Sequence, residues 1–234
     1  MRAGNGTGTR RIVLAAAAGA AAGLAVGVSG CGWLNDRHVE NDATITEPVR
    51  AVRIDNGAGQ VTVHRGDASG GIVVRRDIDY HGDRPPTPGQ TVTDGTLHLT
   101  ANCSDCGIAY DVTVPESTSL TVIDGAGEVR VAGLSGPIAI KAAAGHVEGT
   151  DLRATAVTVE ASAGAVDLAF ATAPTTVSAH SHAGEVTVTV PDGAYAVDAK
   201  ADAGHRSVDV TDSPASPRRL TVWSDAGAVT VQPA

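Results

Sequence analysis

A phrase ending in Ala–Gly returns six times in the second half of the chain. It reads Gly125-Ala126-Gly127, Ala143-Ala144-Gly145, Ser162-Ala163-Gly164, His182-Ala183-Gly184, Asp202-Ala203-Gly204 and Asp225-Ala226-Gly227. The glycines lie 18, 19, 20, 20 and 23 residues apart. Self-similarity at such a period marks a stacked architecture, in which each unit buries its apolar face only against its neighbours.

Aligning on the glycine shows what each unit contains. Leu120, Ile138, Val157, Val177, Val197 and Leu220 share one position, and Val122, Ile140, Val159, Ala179, Ala199 and Val222 share the next but one. Thr121, Ala139, Thr158, Ser178, Asp198 and Thr221 fall between them. This period of two predicts a strand with one buried face. The alternation resumes after the glycine with Val129/Val131, Val166/Leu168, Val186/Val188 and Val229/Val231. Each unit is therefore strand, tight corner, strand, and Ala–Gly supplies the small side chain and positive φ that the corner needs. The fold class is all-β, and stacking the units as rungs gives a single-domain β-solenoid. Ala142, Ala161, Ser181 and Ala201, just before the corners, suit a thin core. An antiparallel β-sandwich or prism of hairpins is the alternative, because periodicity alone does not separate the two.

The N-terminus has another character. Arg2, Arg10 and Arg11 precede an apolar run from Ile12 to Val28, and no acidic residue occurs before Asp36. A basic segment followed by an apolar one predicts an export signal over residues 1–30. It ends Val28-Ser29-Gly30-Cys31, which resembles a bacterial lipobox, and that resemblance implies lipidation of Cys31. The run is weakly hydrophobic for a permanent membrane span, which remains the alternative. Arg10-Arg11 permits twin-arginine export beside the general route. Residues 31–48, polar and aperiodic, are expected to be a tether from the membrane.

Removing the leader takes away three arginines. The mature chain then carries 14 Lys+Arg against 26 Asp+Glu, a net charge of −12. That balance disfavours nucleic acid and anionic headgroups as partners. Aromatics are only 3%, so burial must rest on many Val, Ile and Ala side chains.

The domain is expected to span 49–234. Val52, Ile54, the Gly57-Ala58-Gly59 corner, Val61 and Val63 already form one unit. Residues 64–119 interrupt the period and predict an irregular N-terminal cap with hairpins, of the kind that shields a solenoid's end.

The run GTLHLTA over 95–101 and YDVTVPESTSLTVIDGAGEVRV over 110–131, followed by reiterated AG-x-V units, resembles the bacterial putative-adhesin family, a domain of unknown function built of β-strand repeats. The resemblance covers about residues 49–234. It implies a β-helix-like fold on an exported envelope protein and supplies no catalytic motif.

Three sets of residues could carry chemistry. Cys103 and Cys106 form a Cys-x-x-Cys without the further ligands a zinc site needs, and strand-like runs flank them where a redox site would want a helix, so a disulfide at a hairpin corner is expected. Stacking also puts His182, Glu185, Asp202, His205 and Asp225 on one ridge, able to hold a divalent cation or act as an acid–base pair. The plainer reading is a solvated ridge that resists edge aggregation, so no cofactor or metal is expected. Trp223 stands in a mostly polar outward column of the last unit in sequence, where it predicts an apolar anchor for a partner strand or a second copy at the free edge. His205 is followed by Arg206 where the other units have Val, and a bulge is expected to turn that arginine outward.

These features predict a lipid-anchored extracytoplasmic protein. Its rigid β-repeat domain would bind an envelope protein or glycan, or act as a scaffold, without catalysis. A purely structural spacer and a β-helix polysaccharide lyase or hydrolase are the alternatives. Asp202 and Asp225 on adjacent rungs would be too close for inverting hydrolysis, which wants carboxyls about 6.5–9.5 Å apart.

Overall fold

Period-two patterning becomes strand throughout. A computed structural model describes residues 36–67, 71–101, 103 and 105–234, among which there are twenty strands and no helix. The proposed leader 1–30, Cys31 and Trp33 lie outside the described residues. The first strands are β1 (Asp36–Ile45), β2 (Ala51–Asn56), β3 (Val61–Arg65), β4 (Ile72–His81), β5 (Gly89–Thr93), β6 (Thr96–Thr100) and β7 (Cys106–Val114). The repeat units follow as β8 (Ser119–Ala126), β9 (Val129–Ala132), β10 (Ile138–Ala144), β11 (Val147–Leu152), β12 (Ala156–Ala163) and β13 (Val166–Phe170). The chain ends with β14 (Thr176–Ala183), β15 (Val186–Val190), β16 (Ala194–Ala203), β17 (Arg206–Val208), β18 (Thr211–Asp212), β19 (Arg219–Ala226) and β20 (Val229–Pro233).

Each unit puts its first strand in a front sheet and its second in a back sheet. The front order is β18-β16-β19-β14-β12-β10-β8-β2-β6-β5, and the back order is β1-β4-β7-β3-β9-β11-β13-β15-β20-β17. Neighbouring rungs are parallel and in register, with Ile138 beside Leu120 and Val157, and Ile140 beside Val122 and Val159. This is the expected β-solenoid, and the parallel pairing sets aside the antiparallel sandwich. Leu120, Val157, Val177 and Leu220 of the front sheet and Val129, Val147, Val166, Val186 and Val229 of the back sheet are all buried. Full burial of one such side chain contributes ~1.5–3 kcal/mol, so the aliphatic columns supply most of the stacking stability, with Tyr110, Phe170 and Tyr195 buried among them. Leu134, Leu152, Phe170 and Val190 are buried as well, in or just after the back strands of successive rungs, and Tyr195 is buried at the start of β16.

The corners fix the stacking distance. Gly145 and Gly164 have φ of 130° and 127°. A Cβ on Gly145 would strike the carbonyl oxygen of Gly127, and one on Gly164 that of Gly145. In return each corner amide donates to the next rung: Gly145 N to Ala163 O at 3.0 Å, Gly164 N to Ala183 O at 2.8 Å.

Rung order departs from chain order at both ends. The β19–β20 unit, last in sequence, lies between β14–β15 and β16–β17, with Gly184 N donating to Ala226 O and Gly227 N to Ala203 O, both at 3.0 Å. The terminal rung is therefore β16–β17, and Trp223 is not at the free edge as expected. Arg206 explains the arrangement. It aligns with buried Val229 in the inward column, and no bulge turns it out. At the end of the stack it is exposed, and its Nε donates to Ala199 O at 2.8 Å. In any interior rung the same guanidinium would be buried without a counter-charge. The loop after β18 makes the return possible, held by Ser213 N to Tyr195 O at 2.7 Å and Ser216 Oγ to Ala194 O at 2.8 Å.

The N-terminal end shows the same reversal. Residues 64–119, expected to be an irregular cap, contain a regular rung: β6 runs parallel to β2 and β7 parallel to β3. The cap proper is β1, β4 and β5, all antiparallel. Within the expected tether 31–48, residues 36–45 are strand, because β1 pairs along the edge β4 would otherwise leave unpaired and turns Val39, Ala43 and Ile45 inward. Arg76 ties the two sheets together here. It is 3% exposed, its Nη1 donates to Asn41 Oδ1 at 2.9 Å and its Nη2 to Gln90 Oε1, and it lies over the Tyr110 ring. Cys103 and Cys106 are joined as a disulfide at the β6–β7 corner, where other rungs have Ala–Gly; it is a solenoid corner and not a hairpin.

Candidate functional site

On the outer front face, alternation sends every second side chain to solvent, and the inserted rung decides which ones meet. The outward order across the rungs is Lys141, Glu160, His180, Trp223, Lys200, since Trp223 aligns with His180 on one side and Lys200 on the other. At the corners, Asp225 of β19 stands beside His182 of β14.

Asp225 is the centre of the resulting cluster. His180 Nε2 lies 3.1 Å from its Oδ1 and His182 Nδ1 lies 2.7 Å from its Oδ2. The two imidazole rings meet edge to face with centroids 4.5 Å apart, and His180 meets Trp223 the same way at 6.0 Å. The His182 and then the His180 ring hold the Asp225 carboxyl below the usual carboxylate range. Trp223 is 40% exposed beside a groove of about 260 Å³ lined by Thr158, Glu160, Ser178, His180 and Thr221. Glu160 pairs with Lys141 at 2.9 Å, which lowers its carboxyl pKa.

The expected ridge is thus only partly assembled. His182 and Asp225 touch. Asp202 is paired with Lys200 at 2.7 Å and raises the Lys200 pKa. Glu185 and His205 immediately precede back-sheet strands two rungs apart, since Ala228 intervenes: Val186 N donates to Ala228 O and Val229 N to His205 O. Two rungs are about 10 Å, too far for those two to share one ion. The ridge did not include His180, although its spacing of two from His182 puts both on one strand face.

Among the described residues, three groups bring metal-ligating atoms within 4.8 Å of one another: His180, His182 and Asp225; His38, Glu40 and Asp77; and Glu128, His146 and Glu148. The second borders a concavity of about 490 Å³ on the outer back sheet, lined in part by Glu40 and Asp77. In the third, Arg130 pairs with both Glu128 and Glu148.

The model of the Toastrack DUF4097 family matches residues 45–232. Similar solved structures include a "putative cell adhesion protein" of Clostridium sporogenes, at 11% identity and TM-score 0.49, over 85% of this chain and 100% of that one. A "putative adhesin" of Bacteroides fragilis is similar at 14% identity and TM-score 0.37, over 85% and 97%. A "putative lipid binding protein" of Parabacteroides distasonis is similar at 12% identity and TM-score 0.36, over 87% and 98%. No curated protein matches the chain.

Proposed function

We propose, from the premise that this chain belongs to the Toastrack DUF4097 family, that it is an extracytoplasmic lipoprotein anchored through Cys31. Its solenoid is a rigid, non-catalytic module that binds an envelope protein or glycan. The observation that carries the binding reading is Trp223: a large aromatic, 40% exposed, one rung inside the terminal rung on a front face whose outward columns are mostly polar. The hydroxyls of Thr158, Ser178 and Thr221 and the Glu160 carboxylate surround it, which gives an apolar anchor with a polar rim. The anchoring reading rests on Val28-Ser29-Gly30-Cys31. Asp36, the first residue of β1, follows Cys31 by five residues, a reach of at most about 18 Å.

One fractionation tests both halves. Cys31→Ala is expected to abolish incorporation of labelled fatty acid and release the protein from membranes. The released protein is expected to co-sediment with purified envelope fragments, and Cys31→Ala combined with Trp223→Ala to lose most of that retention. Labelled fatty acid in Cys31→Ala would refute the anchor. Equal sedimentation of the two variants would refute the Trp223 face.

A further inference from the structure

We propose that His180, His182 and Asp225 bind a single divalent transition-metal ion of the zinc, cobalt or nickel class. The site stands whether or not the Trp223 face binds envelope material, because it rests on the three ligands alone.

The sheet assembles it before any ion arrives. His180 and His182 alternate onto the same face of β14, and the inserted β19 brings Asp225 against both, with nitrogen-to-oxygen distances of 3.1 and 2.7 Å. All three donor atoms fall within 4.8 Å of one another. A tetrahedral ion with bonds of about 2.0–2.2 Å separates its ligand atoms by roughly 3.3 Å. Small rotations of partly exposed side chains therefore convert the hydrogen-bonded triangle into a coordination triangle. The backbone needs no change, since β14 and β19 pair in register from Thr176 with Arg219 to Ala183 with Ala226.

Donor chemistry sets the class of ion. Two imidazoles and one carboxylate suit zinc, cobalt, nickel and copper, whereas calcium and magnesium require sets of oxygen ligands. Three protein ligands leave the remaining position open to solvent. Electrostatics agrees: the cluster has one ionised carboxylate of its own, and Glu160 lies one rung away in register with His180. The other two clusters are poorer. Glu128 and Glu148 are engaged by Arg130, and the His38 cluster has one imidazole whose second nitrogen reaches Glu40 and Asp77 only at 3.9 Å.

The test is calorimetric titration of the purified, chelator-stripped protein with zinc chloride at neutral pH, with cobalt chloride followed by visible absorption in parallel. The expected result is one ion per chain. His180→Ala, His182→Ala and Asp225→Asn should each weaken it at least tenfold, while His146→Ala leaves it unchanged. Equal melting temperatures of wild type and variants in chelator show that the substitutions leave the fold intact. Absence of binding at submillimolar metal would overturn the site, as would full affinity in a His180→Ala/His182→Ala double variant. Equal competition by calcium would overturn the class of ion.

Discussion

Asn56 Nδ2 donates to Asp124 Oδ1 at 3.1 Å inside the stack, and the other carboxyl oxygen of Asp124 is buried without a partner. Both residues sit in the small-residue column just before the corners, where Ser181 Oγ donates to Gly164 O and Ser224 Oγ to Gly184 O. That column supplies donors to corner carbonyls, and an ionised aspartate cannot donate. Burial pushes the Asp124 carboxyl up from 3.8 to about 6, against the opposing effect of Asn56.

The sign of the pH dependence follows from that direction. A carboxyl whose folded pKa lies above its unfolded value destabilises the fold once it ionises. The penalty is absent below the unfolded value near 3.8 and grows as pH rises through the folded value near 6. At pH 7.5 it is at most about 2–3 kcal/mol, at 1.36 kcal/mol per pKa unit. Asp124→Asn restores a donor and removes the charge. It is expected to melt several degrees above wild type at about pH 7.5, with the gap closing toward pH 4. Calorimetric melts across pH check this, and a gap independent of pH would refute the assignment to Asp124.

Gly145→Ala is expected to cost about 3–5 kcal/mol, because its φ is 130° and the new Cβ would strike Gly127 O. Gly57→Ala provides the control, since nothing lies within 4 Å of a Cβ there, and its effect should stay within about 0.5 kcal/mol. Denaturant midpoints of the two variants make the comparison. Similar midpoints would mean that the corner ladder does not set the stacking distance.

The parallel stack was legible because inward apolar positions and corner glycines repeat together, and each independently demands the same strand–corner–strand unit. Rung order was not legible, because Gly204 and Gly227 carry equivalent corners and their columns are interchangeable. Only Arg206 betrays the terminal rung: a charge at an inward position is tolerable where the stack ends. β1 was hidden by composition, since Asp36–Ile45 exposes mostly charged and polar side chains and turns only Val39, Ala43 and Ile45 inward. At the site, chain order would set Asp202 beside His182. The insertion sets Asp225 there, which assembles the His180–His182–Asp225 cluster.

The free edge yields the last expectation. Val197, Ala199 and Val208 of the terminal rung are only partly buried, and Arg206 reaches across that open end to Ala199 O at 2.8 Å. β18 pairs with only Ala194 and Tyr195 of β16, and Asp212 Oδ1 accepts from Val197 N at 3.1 Å. A charged side chain over an apolar end is a device against stacking of a second copy. Arg206→Val would continue the inward valine column to the surface and remove that charge. The wild type should remain monomeric in light scattering at concentrations where Arg206→Val at least doubles its mass. Trp223→Ala should not change the mass of either, since Trp223 lies one rung inside the edge. A monomeric Arg206→Val at high concentration would refute the capping role, and a Trp223-dependent dimer would move the contact to the front face.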